Sequence, residues 1–253
     1  MTREAQHIAL VTGGGQGIGA GISRELARAG YHVVINDVDE SRAGTIVAEI
    51  ASDGGHASYA LADVSNSTSV DAMFDRVEDE YGAVSVLVNN AGVNGNAGIR
   101  NVTDAFWDRV TSIDLDGVLY CTRRALGPMR EAGTGSVINV ASRAWLGWWG
   151  QSAYAAAKAG VVGMTRALAV EMASKGVRLN VVAPGLIDSP MLRDRDDEAF
   201  QRLLTSVPSG TLGTPQDIAD AVLFLAGERS RTMTGQVLYV CGGKSIYAYP
   251  DWS

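Results

Sequence analysis

The 253 residues, 46% apolar and 19% charged, suit one α/β domain with a sizeable core. A net charge of −7 gives no basic surface for nucleic acid or an anionic membrane. No apolar run approaches the ~18 residues that span a bilayer. The first strand is expected by Ile8, too early for a leader, so the cytoplasm is the expected compartment. Cys121 and Cys241 read as buried thiols, and His7, His32 and His56 stand apart without metal-ligand spacing, so no metal is expected.

In chain order, Ile8-Ala-Leu-Val-Thr12 is an apolar run without alternation, as for a strand buried on both faces of a parallel sheet. Thr12-Gly-Gly-Gly-Gln16-Gly17-Ile18-Gly19 follows, then a helical pattern through Ile22, Leu26 and Ala29. A glycine turn feeding a helix N-terminus is an anion site, because free amide N–H groups and the positive dipole end face a phosphate. Its glycines, Gly13 first, let backbone approach a pyrophosphate. The next strand, 33–36, is closed by Asp37, placed to accept hydrogen bonds from adenosine ribose hydroxyls. That carboxylate would repel a 2′-phosphate. No Arg or Lys stands in the glycine turn or directly after Asp37, so NAD is expected over NADP.

A helix over 41–52, a strand over 57–61 and an amphipathic helix over 65–81 come next, with Val70, Met73, Phe74 and Val77 on one stripe. A strand over 84–88 runs into Asn89-Asn90-Ala91-Gly92. One or two helices are expected over 106–130, a strand over 136–140 ending at Ser142, a helix over 151–175 and a strand over 179–183 ending at Pro184-Gly185. Residues 186–208 break the rhythm and read as a lid over the site. Thr214, Pro215 and Asp217 start a helix to Ala226, and 235–240 is a last strand. Strands alternating with helices predict a single doubly wound α/β domain with a parallel sheet. Ligands bind at the carboxyl ends of such strands, where Asp63, Asn90, Gly92 and Ser142 fall.

Tyr154-Ala-Ala-Ala-Lys158 carries the expected chemistry. Residues four apart on a helix share a face. A cation ~4 Å from a phenolate, at an effective dielectric of ~20, interacts with it by roughly 4 kcal/mol. Lys158 is therefore expected to ease the loss of the phenolic proton, so that Tyr154 exchanges protons with an alcohol or a ketone.

Together these segments resemble the classical short-chain dehydrogenase/reductase (SDR) family over nearly the whole chain. The glycine turn, Asp63-Val64, Asn89-Asn-Ala-Gly92, Ser142, Tyr154-x3-Lys158 and Pro184-Gly185 occur in the family's order. The resemblance implies a seven-stranded Rossmann sheet and a homotetramer. It implies that Asp63 and Val64 hold adenine, that 90–92 border the adenosine, and that Ile187 and Ser189 touch the nicotinamide carboxamide, Ser189 replacing a more usual threonine. Tyr154 becomes the general acid–base, Ser142 the hydrogen-bond donor to the substrate oxygen, and Lys158 also a ligand of the nicotinamide ribose. One position departs: Asp114 stands where the family usually has asparagine in a proton relay. Ionised, Asp114 favours charged Lys158 and opposes phenolate at Tyr154, which implies a relay with a shifted pH optimum.

Trp145, Trp148 and Trp149 lie in the segment that borders substrate in the family, and Met191 and Leu192 add apolar surface from the lid. A hydrophobic secondary alcohol or ketone, aromatic or alicyclic, is expected as the substrate. The aromatic tail, ending near Trp252, is expected to dock on its own or a partner subunit. Two alternatives stand beside an NAD-dependent alcohol dehydrogenase. One is a 3-oxoacyl-thioester reductase, against which Asp37 and the net acidity weigh. The other is a non-catalytic NAD-binding subunit, for which only Asp114 speaks.

Overall fold

The computed structural model describes residues 7–93, 95–188 and 197–246. Its first half alternates β1 (Ile8–Thr12), α1 (Gly17–Arg28), β2 (His32–Asp37), α2 (Glu40–Ser52), β3 (His56–Leu61), α3 (Ser67–Tyr81) and β4 (Val84–Asn89). Then come α4 (Asp104–Thr111), α5 (Gly117–Ala132), β5 (Gly135–Val140), α6 (Ser152–Met172), β6 (Val177–Pro184), α7 (Asp197–Thr205), α8 (Pro215–Ala226) and β7 (Val237–Val240). The strands form one seven-stranded sheet in the order β3-β2-β1-β4-β5-β6-β7, and every neighbouring pair is parallel. Parallel neighbours require crossovers, and the helices supply them on both faces. This is the doubly wound Rossmann sheet expected from the pattern.

The central strands read as unbroken apolar runs because both faces are covered. Side chains alternate across the pleat. Leu10, Val34 and Leu87 therefore join Phe74 and Met129 on one side, while Val11, Ile35 and Val88 join Leu26 and Leu225 on the other. On that second side α1 meets α8 closely, because Gly21 has no Cβ: one placed there would lie 3.0 Å from Pro215 Cβ.

The sheet reverses direction of winding between β1 and β4, and the cleft opens outside that point. A run of buried hydrogen bonds fixes the helices to the strands there. Asn89 Nδ2 donates to Thr122 Oγ1 at 3.0 Å and to Asn139 Oδ1 at 2.8 Å; Asn139 Nδ2 donates to Thr165 Oγ1 at 2.8 Å. The run joins β4 and β5 to α5 and α6. It thereby sets the position of the helix that carries Tyr154 and Lys158.

Two elements differ from the sequence reading. The long helical stretch before β5 is α4 and α5 joined by a π-helical turn, Ser112–Asp116. Such wide turns displace a side chain from the regular helical face and are frequent at functional sites. Within 186–208, the described part contains α7, with Phe200, Leu203 and Leu204 partly buried at helical spacing. Ile187 pairs with Gly213, and Asp188 N donates to Gly213 O at 2.7 Å. Ser189, Met191 and Leu192 lie outside the described residues, as does the tail from Tyr247 through Trp252. No helix among the described residues is long and apolar enough to cross a membrane.

Candidate active site

The glycine turn is tied to the end of β4 through Thr12. Its hydroxyl donates to Val88 O at 3.4 Å and accepts from Asn90 N and Ala91 N, each at 3.0 Å. Asn90 Nδ2 donates back to Thr12 O at 3.0 Å and Gly13 O at 3.1 Å. Gly13 and Gly17 adopt left-handed φ of 60° and 53°, and a Cβ on Gly19 would fall 2.1 Å from Gly13 O. Only glycine lets the turn close on the helix this way.

Side chains cap α2, α3, α4 and α8 (Asp39, Asn66, Thr103 and Thr214), but Gln16 makes no such bond at α1. The first amides of α1 are thus left to face an anion, and the turn fits a pyrophosphate. Asp37 sits against the same turn and is buried. Its Oδ2 accepts from Gly15 N and its Oδ1 from Asp39 N, both at 3.1 Å. Arg42 also reaches Gly15, which the spacing alone did not reveal: a Cβ on Gly15 would lie 2.9 Å from Arg42 Cβ. The Arg42 guanidinium pairs with Asp39 at 3.0 Å. Further along the rim, Asp63 Oδ1 accepts from Ser65 N and Ser65 Oγ, and Val64 is buried beside Gly117.

A cleft of about 300 Å³ opens beside Ile18 of the glycine turn and Asn90 after β4. Ser142, Tyr154, Lys158 and Asp114 all line it, together with Ile18, Asn90, Gly92, Pro184, Gly185 and Ile187. Ser142 Oγ accepts from Ala144 N at 3.1 Å, which leaves its hydrogen for a second acceptor. Gly185 is held by its N–H to Val240 O at 2.9 Å, and a Cβ there would meet Cys241 Cα at 2.7 Å.

Lys158 is buried, and its Nζ lies 5.6 Å from the centroid of the Tyr154 ring. It donates to Val140 O at 3.2 Å and pairs with Asp114 Oδ1 at 3.0 Å. Asp114 Oδ2 accepts from Val93 N at 3.0 Å. Burial pushes the Lys158 pKa down, but the charge of Asp114, then Tyr154, and the bond to Asp114 outweigh it. The pKa is raised, and Lys158 is held as an ammonium. Asp114 is therefore in direct contact with Lys158, closer than its sequence position suggests.

Of the three indoles, Trp148 lines the cleft. Trp145 packs with Val118, Val161 and Val181 beneath it, and Trp149 is 84% exposed. The described wall holds two cations that the sequence reading passed over, Arg143 and Lys244. Arg143 adjoins Ser142 and could have been noticed for that; Lys244 lies 101 residues further along.

Comparison with known proteins agrees with this geometry. A family model described as enoyl-(acyl carrier protein) reductase matches residues 13–245. The chain belongs to the classical short-chain dehydrogenase/reductase family. This SDR is 44% identical over 241 residues to the (2S)-[(R)-hydroxy(phenyl)methyl]succinyl-CoA dehydrogenase subunit BbsD of Thauera aromatica, spanning 95% of this chain and 97% of that one. It is 41% identical over 244 residues to the cis-4-hydroxycyclohexanecarboxylate dehydrogenase of Sinomonas cyclohexanicum, spanning 94% and 96%. Among solved structures, a point variant of actinorhodin polyketide ketoreductase with NADPH superposes with a TM-score of 0.93 at 35% identity, covering 98% of this chain and all of that one. The SDR described here is accordingly an oxidoreductase of a family that uses a nicotinamide dinucleotide.

Proposed function

We propose that this SDR is an NAD-dependent dehydrogenase of hydrophobic secondary alcohols, aromatic or alicyclic, working in either direction between alcohol and ketone. The observation that carries the reading is the convergence of Ser142, Tyr154 and Lys158 on one cleft beside the glycine turn. Ring-bearing substrates in the names of the two relatives support the substrate class.

The residues present fit the cofactor. Gly13, Gln16, Gly17, Ile18 and Gly19 would receive its pyrophosphate, Asp37 its adenosine ribose, and Asp63 with Val64 its adenine. Asn90, Ala91 and Gly92 would border the adenosine, and Pro184, Gly185, Ile187 and Ser189 the nicotinamide. A bound nicotinamide supplies the hydride acceptor. The chain's own residues handle the proton. Tyr154 takes it from the substrate hydroxyl during oxidation and returns it during reduction. Ser142 donates to the substrate oxygen and steadies charge developing there. Lys158 keeps a positive charge beside Tyr154, and Asp114 holds that ammonium in place as a positioning residue. Trp148 offers the substrate an apolar face. Asp37 favours NAD, because its carboxylate opposes a 2′-phosphate and Arg42 is engaged by Asp39. A homotetramer in the cytoplasm, acting on small molecules, completes the proposal.

A second reading, a 3-oxoacyl-thioester reductase, is favoured by the acyl-carrier-protein family description and by the NADPH-bound ketoreductase. The test is NADH formation at 340 nm with aliphatic, alicyclic and aromatic alcohols and a 3-hydroxyacyl thioester, with NAD and NADP in parallel. Oxidation of bulky apolar alcohols with NAD is expected. Activity confined to thioesters or to NADP selects the second reading. Tight NAD binding without turnover of any of them selects a non-catalytic subunit.

A further inference from the structure

Arg143 and Lys244 both lie over the indole of Trp148: Arg143 Cζ is 4.4 Å from its centroid and Lys244 Nζ is 5.1 Å. Both line the cleft that holds Ser142 and Tyr154. Their described hydrogen bonds go only to neutral oxygens. Arg143 Nη1 donates to Lys244 O at 3.4 Å, and Lys244 Nζ donates to Ser206 O at 3.0 Å and to Ser206 Oγ. Among the described residues neither cation meets a carboxylate. Lys244 is only 6% exposed. Burial, and then the charge of Arg143, hold its pKa below the ordinary lysine value; burial lowers that of Arg143 as well.

Two part-buried cations facing one cavity are costly without an anion and favourable with one. The glycine turn, from which Ile18 lines the cleft, already provides for the pyrophosphate. The cations belong instead to the wall formed by Ser142 and Trp148, where the substrate body would extend from its carbinol carbon. A guanidinium offers paired donors to a carboxylate, and an ammonium adds a point charge.

We propose that the alcohol this SDR oxidises carries a carboxylate, bound by Arg143 and Lys244 where they meet Trp148. This rests on the dehydrogenase reading and narrows it from an apolar alcohol to an amphipathic hydroxy acid.

The test separates the two. Cyclohexanecarboxylate, which has no carbinol to oxidise, and its neutral methyl ester are titrated calorimetrically into the full-length protein saturated with NADH. The acid is expected to bind at least tenfold more tightly than the ester. That ratio should fall close to one in Arg143→Gln and also in Lys244→Met, each checked for folding by circular dichroism. Equal affinity for acid and ester, failure of the acid to bind, or a ratio kept in both variants overturns the proposal. Turnover is read separately on the wild-type protein. Oxidation of neutral cyclohexanols with no preference for the acid leaves the dehydrogenase and removes the anion site. Selective binding of the acid without any turnover does the reverse.

Discussion

Lys158 Nζ lies 3.0 Å from Asp114 Oδ1, and the two side chains are 3% and 0% exposed. The pair closes a loop of contacts around the cleft. Asp114 comes from the π-helical turn, Lys158 from α6, and the second oxygen of Asp114 holds Val93 N, just after the segment that meets the glycine turn. Removing one partner of such a buried pair leaves a charge without compensation, which is far more costly than the net worth of the pair.

Asp114→Asn tests the charge while keeping the shape. With the carboxylate gone, burial is opposed only by Tyr154, so the Lys158 proton is held less tightly. The pH–rate profile should move toward acid, and urea denaturation at pH 7 should show a loss of about 3–5 kcal/mol. The sign of the pH dependence follows from the raised Lys158 pKa. A base that holds its proton more tightly when folded adds stability at all pH below its ordinary value of 10.5, and loses that contribution as pH rises through the folded value. The gap in urea midpoint between wild type and variant should therefore be full at neutral pH and narrow above the lysine range. An unmoved pH–rate profile would show that Asp114 acts through shape alone.

Tyr154→Phe removes the proposed proton carrier and leaves the ring. Turnover should fall by about 10²- to 10⁴-fold. NAD binding, followed by quenching of tryptophan fluorescence, should be retained, since the glycine turn and Asp37 are untouched. Retained turnover would assign the proton transfer to another group.

Much of this was legible in local patterns. Unbroken apolar runs marked the strands buried on both faces, with shifts of at most two residues at their ends. The Thr214–Asp217 capping box and the glycine turn announced α8 and α1. Tyr154 and Lys158 sit four apart on one helix, so their alignment needed no knowledge of the rest of the chain. What escaped was set by contacts distant in sequence. The pairing of Asp114 with Lys158 depends on the π-helical turn and on how α6 docks. The approach of Lys244 to Arg143 depends on where the chain runs after β7. The indoles looked equivalent in sequence, but the short helical turn Arg143–Leu146 sends Trp145 beneath the cleft and leaves Trp148 on its wall. Helix α7 could have been recognised from Phe200, Leu203 and Leu204, whose spacing was masked by the charged stretch before them.

Asp37→Ala bears on cofactor choice. Hydrogen bonds to a charged group contribute about 1.5–3 kcal/mol, so kcat/KM with NAD should fall about tenfold or more. The penalty against a 2′-phosphate should disappear at the same time. The ratio of kcat/KM for NADP to that for NAD should rise accordingly. A ratio unchanged by the substitution would mean that Asp37 serves only to hold Gly15 and Asp39.

Gly92→Ala probes the same ion pair from the other side. A Cβ at Gly92 would lie 2.5 Å from Asp114 Oδ1 and 3.6 Å from Lys158 Nζ, so the carboxylate would have to move. Overpacking of this kind costs about 1–3 kcal/mol. The diagnostic comparison is a double-mutant cycle with Asp114→Ala, which removes the oxygen that the new methyl would strike. If Gly92 is glycine to make room for the Asp114–Lys158 pair, adding Gly92→Ala to Asp114→Ala should cost much less than adding it to the wild type, with a coupling of about 0.5–3 kcal/mol in urea denaturation. Additive losses would mean that the glycine serves the chain's path past the cleft and not the ion pair. The cycle thus reads the contact itself, independently of any substrate or cofactor.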